Sequence, residues 1–135
     1  MTNNRNELKE RIRRYKELAK EHYREGIELL KKHPHKACES VWRAVDRLTR
    51  AVCLKYLGRE SPTNGETWRE FIKSCLVKAG LPNKDANDLA KTFLAIRGEL
   101  HGRCLYGGIY DEKEHKDIIE NLTRKYIEKL MKLLS

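Results

Sequence analysis

At 135 residues the chain has the length of one domain built on a single core. It is 39% hydrophobic and 36% charged, with 3 Pro and 8 Gly and no run of β-branched residues, a mix that points to a soluble, charge-rich helical domain. The formal charge of +9 attracts phosphate polymers or acidic partners, whereas no apolar run approaches the roughly 18 residues of a membrane span. The first ten residues lack the apolar centre of a signal peptide, so the expectation is an intracellular, cytoplasmic protein with no membrane partner.

The predicted elements are all helices. Helix one is expected over Asn4–Lys32, where Leu8, Ile12, Tyr15, Ala19, Tyr23, Gly26, Ile27 and Leu30 recur at three- and four-residue steps. Lys9, Arg13, Lys16, Lys20 and Arg24 fall along one flank of it as a candidate basic surface. Glu7–Arg11, Glu10–Arg14 and Glu28–Lys32 stand in the favourable order for side-chain pairs worth about 0.2–0.5 kcal/mol each. Pro34, between His33 and His35, ends the pattern. With no third ligand evident nearby, the two histidines read as a connector and no metal site is expected.

Helix two is expected over His35–Leu57, with Val41, Ala44, Val45, Leu48, Ala51, Val52 and Tyr56 inward and Gly58 suited to a left-handed cap. The short connection implies an antiparallel hairpin. Arg43, Arg47 and Arg50 would extend the basic surface if the two helices bring those faces together. Residues 1–60 hold 16 Lys/Arg against 9 Asp/Glu, so most of the excess charge belongs to this hairpin.

A polar loop, Arg59–Gly65, leads to a short helix three over Glu66–Ala79, which should bury Trp68, Phe71, Ile72, Cys75 and Leu76. Helix four is expected over Lys84–Leu105. A turn of Tyr106-Gly107-Gly108-Ile109-Tyr110 follows, with Asp111 as cap of helix five, Glu112–Leu134. No strand signal and no repeat period appear, so the reading is an all-α up-and-down bundle of about five helices with a long N-terminal hairpin.

Cys38, Cys53, Cys75 and Cys104 are widely spaced with no C-x-x-C pair, and each lies in apolar helical context. They read as reduced core residues, with a disulfide as the alternative known from intracellular proteins of hyperthermophiles. Phosphate-loop, H-E-x-x-H and G-x-S-x-G signatures are absent, and no cofactor is expected. A helix-turn-helix around Gly80–Asn83 would need a shorter, more polar recognition helix than helix four provides.

The residues best suited to chemistry are Arg97 and His101, one helical turn apart on or beside the apolar face of helix four. A histidine exchanges protons near neutral pH, and an arginine holds phosphate bidentately. Arg103, an i,i+4 partner for Glu99, together with Tyr106 and Tyr110, completes the candidate phosphate or ligand contacts. The competing structural reading makes His101 a bonded core residue and Arg97 the closure of a helix end.

A long basic hairpin, a short third helix, and an Arg/His helix running through Leu100-His101 to Tyr106 and Gly107 resemble the HEPN superfamily. The likeness is greatest to its small archaeal PaREP-type members, with Ala37–Gly58, ending Leu54-Lys55-Tyr56-Leu57-Gly58, as the second stretch that carries it. The resemblance implies a homodimer with the Arg/His motifs near its groove. For active members it implies metal-independent ribonuclease activity, with His101 as acid/base on the ribose hydroxyl and Arg97 stabilising the phosphate. The active pattern places four to six residues between Arg and His, where this chain has three, so RNA or phosphate-ligand contact is expected ahead of turnover. The rival expectation is a non-catalytic interaction module, one half of a toxin–antitoxin-like pair whose protein partner is encoded nearby.

Overall fold

The structure is a computed structural model that describes residues 2–135. Five helical rods form an all-α bundle, with no strand among the described residues. The rods are α1 (Thr2–Leu29), α2 (Pro34–Leu57), α3 (Trp68–Lys78), α4 (Asn83–Ile96) continued by a π-helical segment (Arg97–Tyr106), and a last composite rod. That last rod joins α5 (Glu112–Asp117), a second π-helical segment (Ile118–Leu122) and α6 (Thr123–Leu133). Among the described residues, no helix is long and apolar enough to cross a membrane.

The centre of the bundle is α2. Its buried side chains run from Ala37 and Cys38 to Cys53 and Leu54 and occupy more than one face. A helix that is apolar over most of its circumference needs neighbours around it. Accordingly, α2 touches α1, α3, α6 and the first π segment. Gly58 caps it in the left-handed conformation, φ 74°, and donates its N–H to the Leu54 carbonyl at 3.0 Å. Phe71, Phe93, Tyr126, Leu48, Ile96 and Leu100 fill the core beside it. Within that core Thr49 donates to the Val45 carbonyl (2.7 Å), which leaves the Tyr126 hydroxyl to donate to Thr49 Oγ1 (2.7 Å). Burial pushes the Tyr126 phenol well above its ordinary pKa.

The contact of α1 with α2 differs from the amphipathic stripe expected of it. Ala19, Gly26 and Leu30 are buried, but Ile27 is exposed and Leu8, Ile12, Tyr15 and Tyr23 are only half-buried. Small residues let the two backbones approach closely: a Cβ at Gly26 would overlap Val41 Cγ2 and lie 3.4 Å from the Ala37 carbonyl. The expected Glu7–Arg11, Glu10–Arg14 and Glu28–Lys32 pairs do not form. Arg11 reaches Glu60 instead (3.2 Å), and Glu10 pairs with Arg13. A tertiary acceptor outcompetes the local ones because Glu60 also binds the Tyr15 hydroxyl (2.9 Å) and Arg50 (3.4 Å).

Local signals set the remaining boundaries. Thr67 and Glu70 form a reciprocal capping box at the start of α3. Asp111 caps α5 by accepting from the Glu114 N–H at 3.0 Å. Trp68, expected to be buried, is half-buried, and Leu122 in the last rod is exposed.

Two corrections bear on the site. The expected α-helix through Leu105 widens at Arg97 into π geometry, in which hydrogen bonds run from residue i to i+5, as from the Gly107 N–H to the Gly102 carbonyl (2.8 Å). Gly98 and Gly102 weaken α preference there, while Ile96, Leu100 and Cys104, all fully buried, stay directed at the core. The second correction concerns the cysteines. Cys38 and Cys104 form a disulfide across 66 residues, with a Cα separation of 6.4 Å that suits the bond. Spacing could not show this pair, because only the packing of the π segment on α2 brings the two residues together. Cys53 and Cys75 remain free and buried; their mutual hydrogen bond and then burial push the Cys53 thiol well above its ordinary pKa.

Candidate functional site

The widened turn carries Arg97 and His101 to one side of a cleft of about 230 Å³. α2 supplies Trp42, Asp46 and Arg50, while α3 and α4 supply Trp68 and Phe93. Aromatic rings line it in series. Trp68 stacks on Phe93 (5.9 Å between centroids), Phe93 meets Trp42 (5.5 Å), Trp42 meets His101 (5.3 Å), and His101 meets Tyr106 edge-on (4.8 Å). The guanidinium groups of Arg50 and Arg97 lie 5.4 and 5.9 Å from the Trp68 ring centre. The weakly hydrated guanidinium suits such an aromatic face.

The two arginines differ in how their charge is met. Arg50 donates through Nε to both oxygens of buried Asp46 (3.2 and 3.1 Å) and through Nη1 to the Glu60 carbonyl (3.2 Å). Asp46 also accepts from Arg47. Arg97 has no carboxylate within ion-pairing distance among the described residues, and it is the cleft's available cation. His101 is half-buried, and its Nδ1 is buried without a hydrogen-bond partner. Among the described residues, no hydrogen bond to Nδ1 dictates which ring nitrogen carries the proton.

The other candidates scatter. Arg103 is held by Glu99 (3.2 Å) and Glu114 (3.1 Å), so its charge is already matched. Tyr110 is turned away from the cleft, packed between the rings of His35 (6.3 Å) and His115 (5.6 Å), and burial raises its pKa. Tyr106 stands beside His101 and is 77% exposed. Buried His115 accepts the Asp111 N–H at Nδ1 (2.9 Å), which places its proton on Nε2, 3.4 Å from Glu99. At 3.4 Å that approach is a weak electrostatic contact and Nε2 makes no hydrogen bond.

The expected basic surface is thinner than its sequence suggests. Arg13, Arg43, Arg47 and Arg50 are paired with Glu10, Glu39, Asp46 and Asp46, respectively. Lys9, Lys16, Lys20 and Arg24 on α1 have no carboxylate partner among the described residues and keep their charge for solvent or a ligand. The two helices pack directly on each other, and Glu60 sits between Arg11 and Arg50 and cancels charge there instead of leaving an extended basic face.

Trp42, Asp46, Trp68 and Phe93 are the cleft residues that the Arg97/His101 spacing does not reveal. Asp46 had a readable signal, an acid standing i,i+4 to Arg50 in an otherwise basic face. Trp42 had none, since it flanks the apolar stripe of α2. Against protein-family models, curated proteins and solved structures, the chain finds no match.

Proposed function

We propose that the protein is an HEPN-like bundle that binds RNA, or another phosphate-bearing ligand, at the Arg97/His101 cleft. The observation that carries this reading is the unpaired Arg97 guanidinium facing the same cleft as His101. Arg97 can bind a phosphate bidentately, with Trp68 holding one face of the guanidinium and so limiting the entropy lost on binding. His101 lines the same cleft as Arg97 and brings its half-buried imidazole beside the ligand. Lys9, Lys16, Lys20 and Arg24 add long-range attraction for a polyanion.

Binding is the primary activity in this reading, and metal-independent cleavage is its extension. Cleavage requires His101 to take the ribose 2′-hydroxyl proton while Arg97 stabilises the charge developing on phosphorus-bound oxygen. The test is binding of single-stranded RNA at low salt by the wild type and by Arg97→Ala, with cleavage followed in EDTA for both and for His101→Ala. Tight wild-type binding that weakens in Arg97→Ala supports the proposal, and undetectable wild-type binding refutes it. Equal cleavage rates in all three proteins would remove the pair from catalysis.

A second reading, a protein-interaction module of a toxin–antitoxin-like pair, is favoured by a shallow apolar groove in which exposed Ile27 lies with Tyr23, Ile127 and Met131. Recovery of one stoichiometric protein partner, with no RNA affinity, would select it.

A further inference from the structure

Tyr106 has no role in holding the fold. It is 77% exposed, and its ring touches the cleft only through the edge-on contact with His101 at 4.8 Å. An exposed aromatic ring at the rim of a cleft that holds an unpaired cation is free to cover a ligand seated there. The backbone beneath the ring is firmly placed. The Gly107 N–H bonds the Gly102 carbonyl (2.8 Å), and the Ile109 N–H bonds the Arg103 carbonyl (3.1 Å). The Gly108 carbonyl faces His35 Nε2 at 3.1 Å, which fastens the turn to the start of α2. Gly107 admits no side chain, since a Cβ there would lie 2.6 Å from the Arg103 carbonyl oxygen. Gly108 adopts φ +67°, which favours glycine. The turn therefore places the backbone that carries Tyr106 and borders its ring with residues too small to obstruct it.

We infer that Tyr106 is a stacking platform for an unpaired base of single-stranded RNA, seated beside the phosphate that Arg97 holds; this deepens the proposed function and rests on it. Successive groups along a single strand alternate phosphate and base, and the site alternates in the same way: Arg97 in the cleft, His101 between, Tyr106 at the rim. Stacking on an aromatic face is tolerant of base identity and needs the base free of its complement. The preferred ligand is thus single-stranded RNA of no fixed sequence. Duplex RNA, whose bases are already stacked, offers only its phosphates.

The experiment compares binding of one RNA sequence as a single strand and as a duplex to wild type, Tyr106→Ala and Tyr106→Phe, at several salt concentrations. A single 2-aminopurine in the strand reports stacking by its fluorescence. The expected result is tighter wild-type binding of the single strand. Tyr106→Ala should weaken that binding roughly 5- to 150-fold with loss of the fluorescence change, while Tyr106→Phe retains both. Phosphate contacts are counted by the slope of log affinity against log salt, which should stay the same in all three proteins. An unchanged melting temperature shows that the exposed ring can be removed without disturbing the fold. The inference is overturned if Tyr106→Ala binds the single strand as tightly as wild type, or if wild type binds strand and duplex equally; either leaves the phosphate reading intact. Absence of RNA binding by wild type at low salt overturns both.

Discussion

Arg97 and Arg50 both lie against the Trp68 ring, yet their substitution should have opposite consequences. Arg50 ties α2 to the Glu60 loop and shares buried Asp46 with Arg47, so Arg50→Ala leaves that carboxylate to Arg47 alone and should destabilise the fold by roughly 1.5–3 kcal/mol, read by denaturant unfolding. Arg97 pairs with no carboxylate, so Arg97→Ala should lower stability by less than about 1 kcal/mol while weakening RNA binding. Gly26 is a second test at this scale. A methyl group there meets Val41 with no room to retreat, and Gly26→Ala should cost about 1–3 kcal/mol despite its better helix propensity.

At the scale of elements, the first π segment is held from both ends. Its start continues α4, and its far end is bonded through Cys104 to Cys38 at the beginning of α2. Closing a loop of 66 residues restricts the unfolded chain by roughly 4 kcal/mol in the chain-entropy account. Reduction, or Cys38→Ser, should lower the melting temperature accordingly. Trp42 follows Cys38 by about one turn and His101 precedes Cys104 by three residues, so the same change should loosen the Trp42–His101 contact, visible in near-ultraviolet circular dichroism.

Most elements were legible because their signals are local. The caps at Gly58 and Asp111 and the apolar periodicity of α2 depend on residues a few positions apart. The disulfide, the Glu60 hub and the shift from α to π geometry were not legible, since each arises from packing between distant segments. The site was half legible for the same reason. Arg97 and His101 neighbour each other in sequence, whereas Trp42, Asp46 and Trp68 reach them only through the fold.

At the scale of the whole molecule, the four tyrosines Tyr15, Tyr23, Tyr110 and Tyr126 all have pKa values raised first by burial. A phenol that resists ionisation in the folded state keeps its proton after the unfolded chain has lost it. The unfolded state then binds fewer protons than the native one, and stability falls as pH rises past about 10. Alkaline unfolding with its onset there is the expected outcome, and Tyr126→Phe should flatten the decline, as followed by urea unfolding at a series of pH values. The homodimer that the HEPN resemblance implies belongs to this scale too and is tested by light scattering, where twice the mass of the 15.9 kDa chain would support it and a single chain's mass would refute it.

The central claim is that RNA enters the cleft between α2 and the first π segment. Trp42 and Trp68 are the only two tryptophans in the chain, and both line that cleft, so their indole N–H resonances form a clean internal probe. On titration with single-stranded RNA at low salt, both indole signals should shift in wild type and stay fixed in Arg97→Ala. Shifts confined to the α1 residues Lys9, Lys16, Lys20 and Arg24, with both indole signals unmoved, would contradict the account.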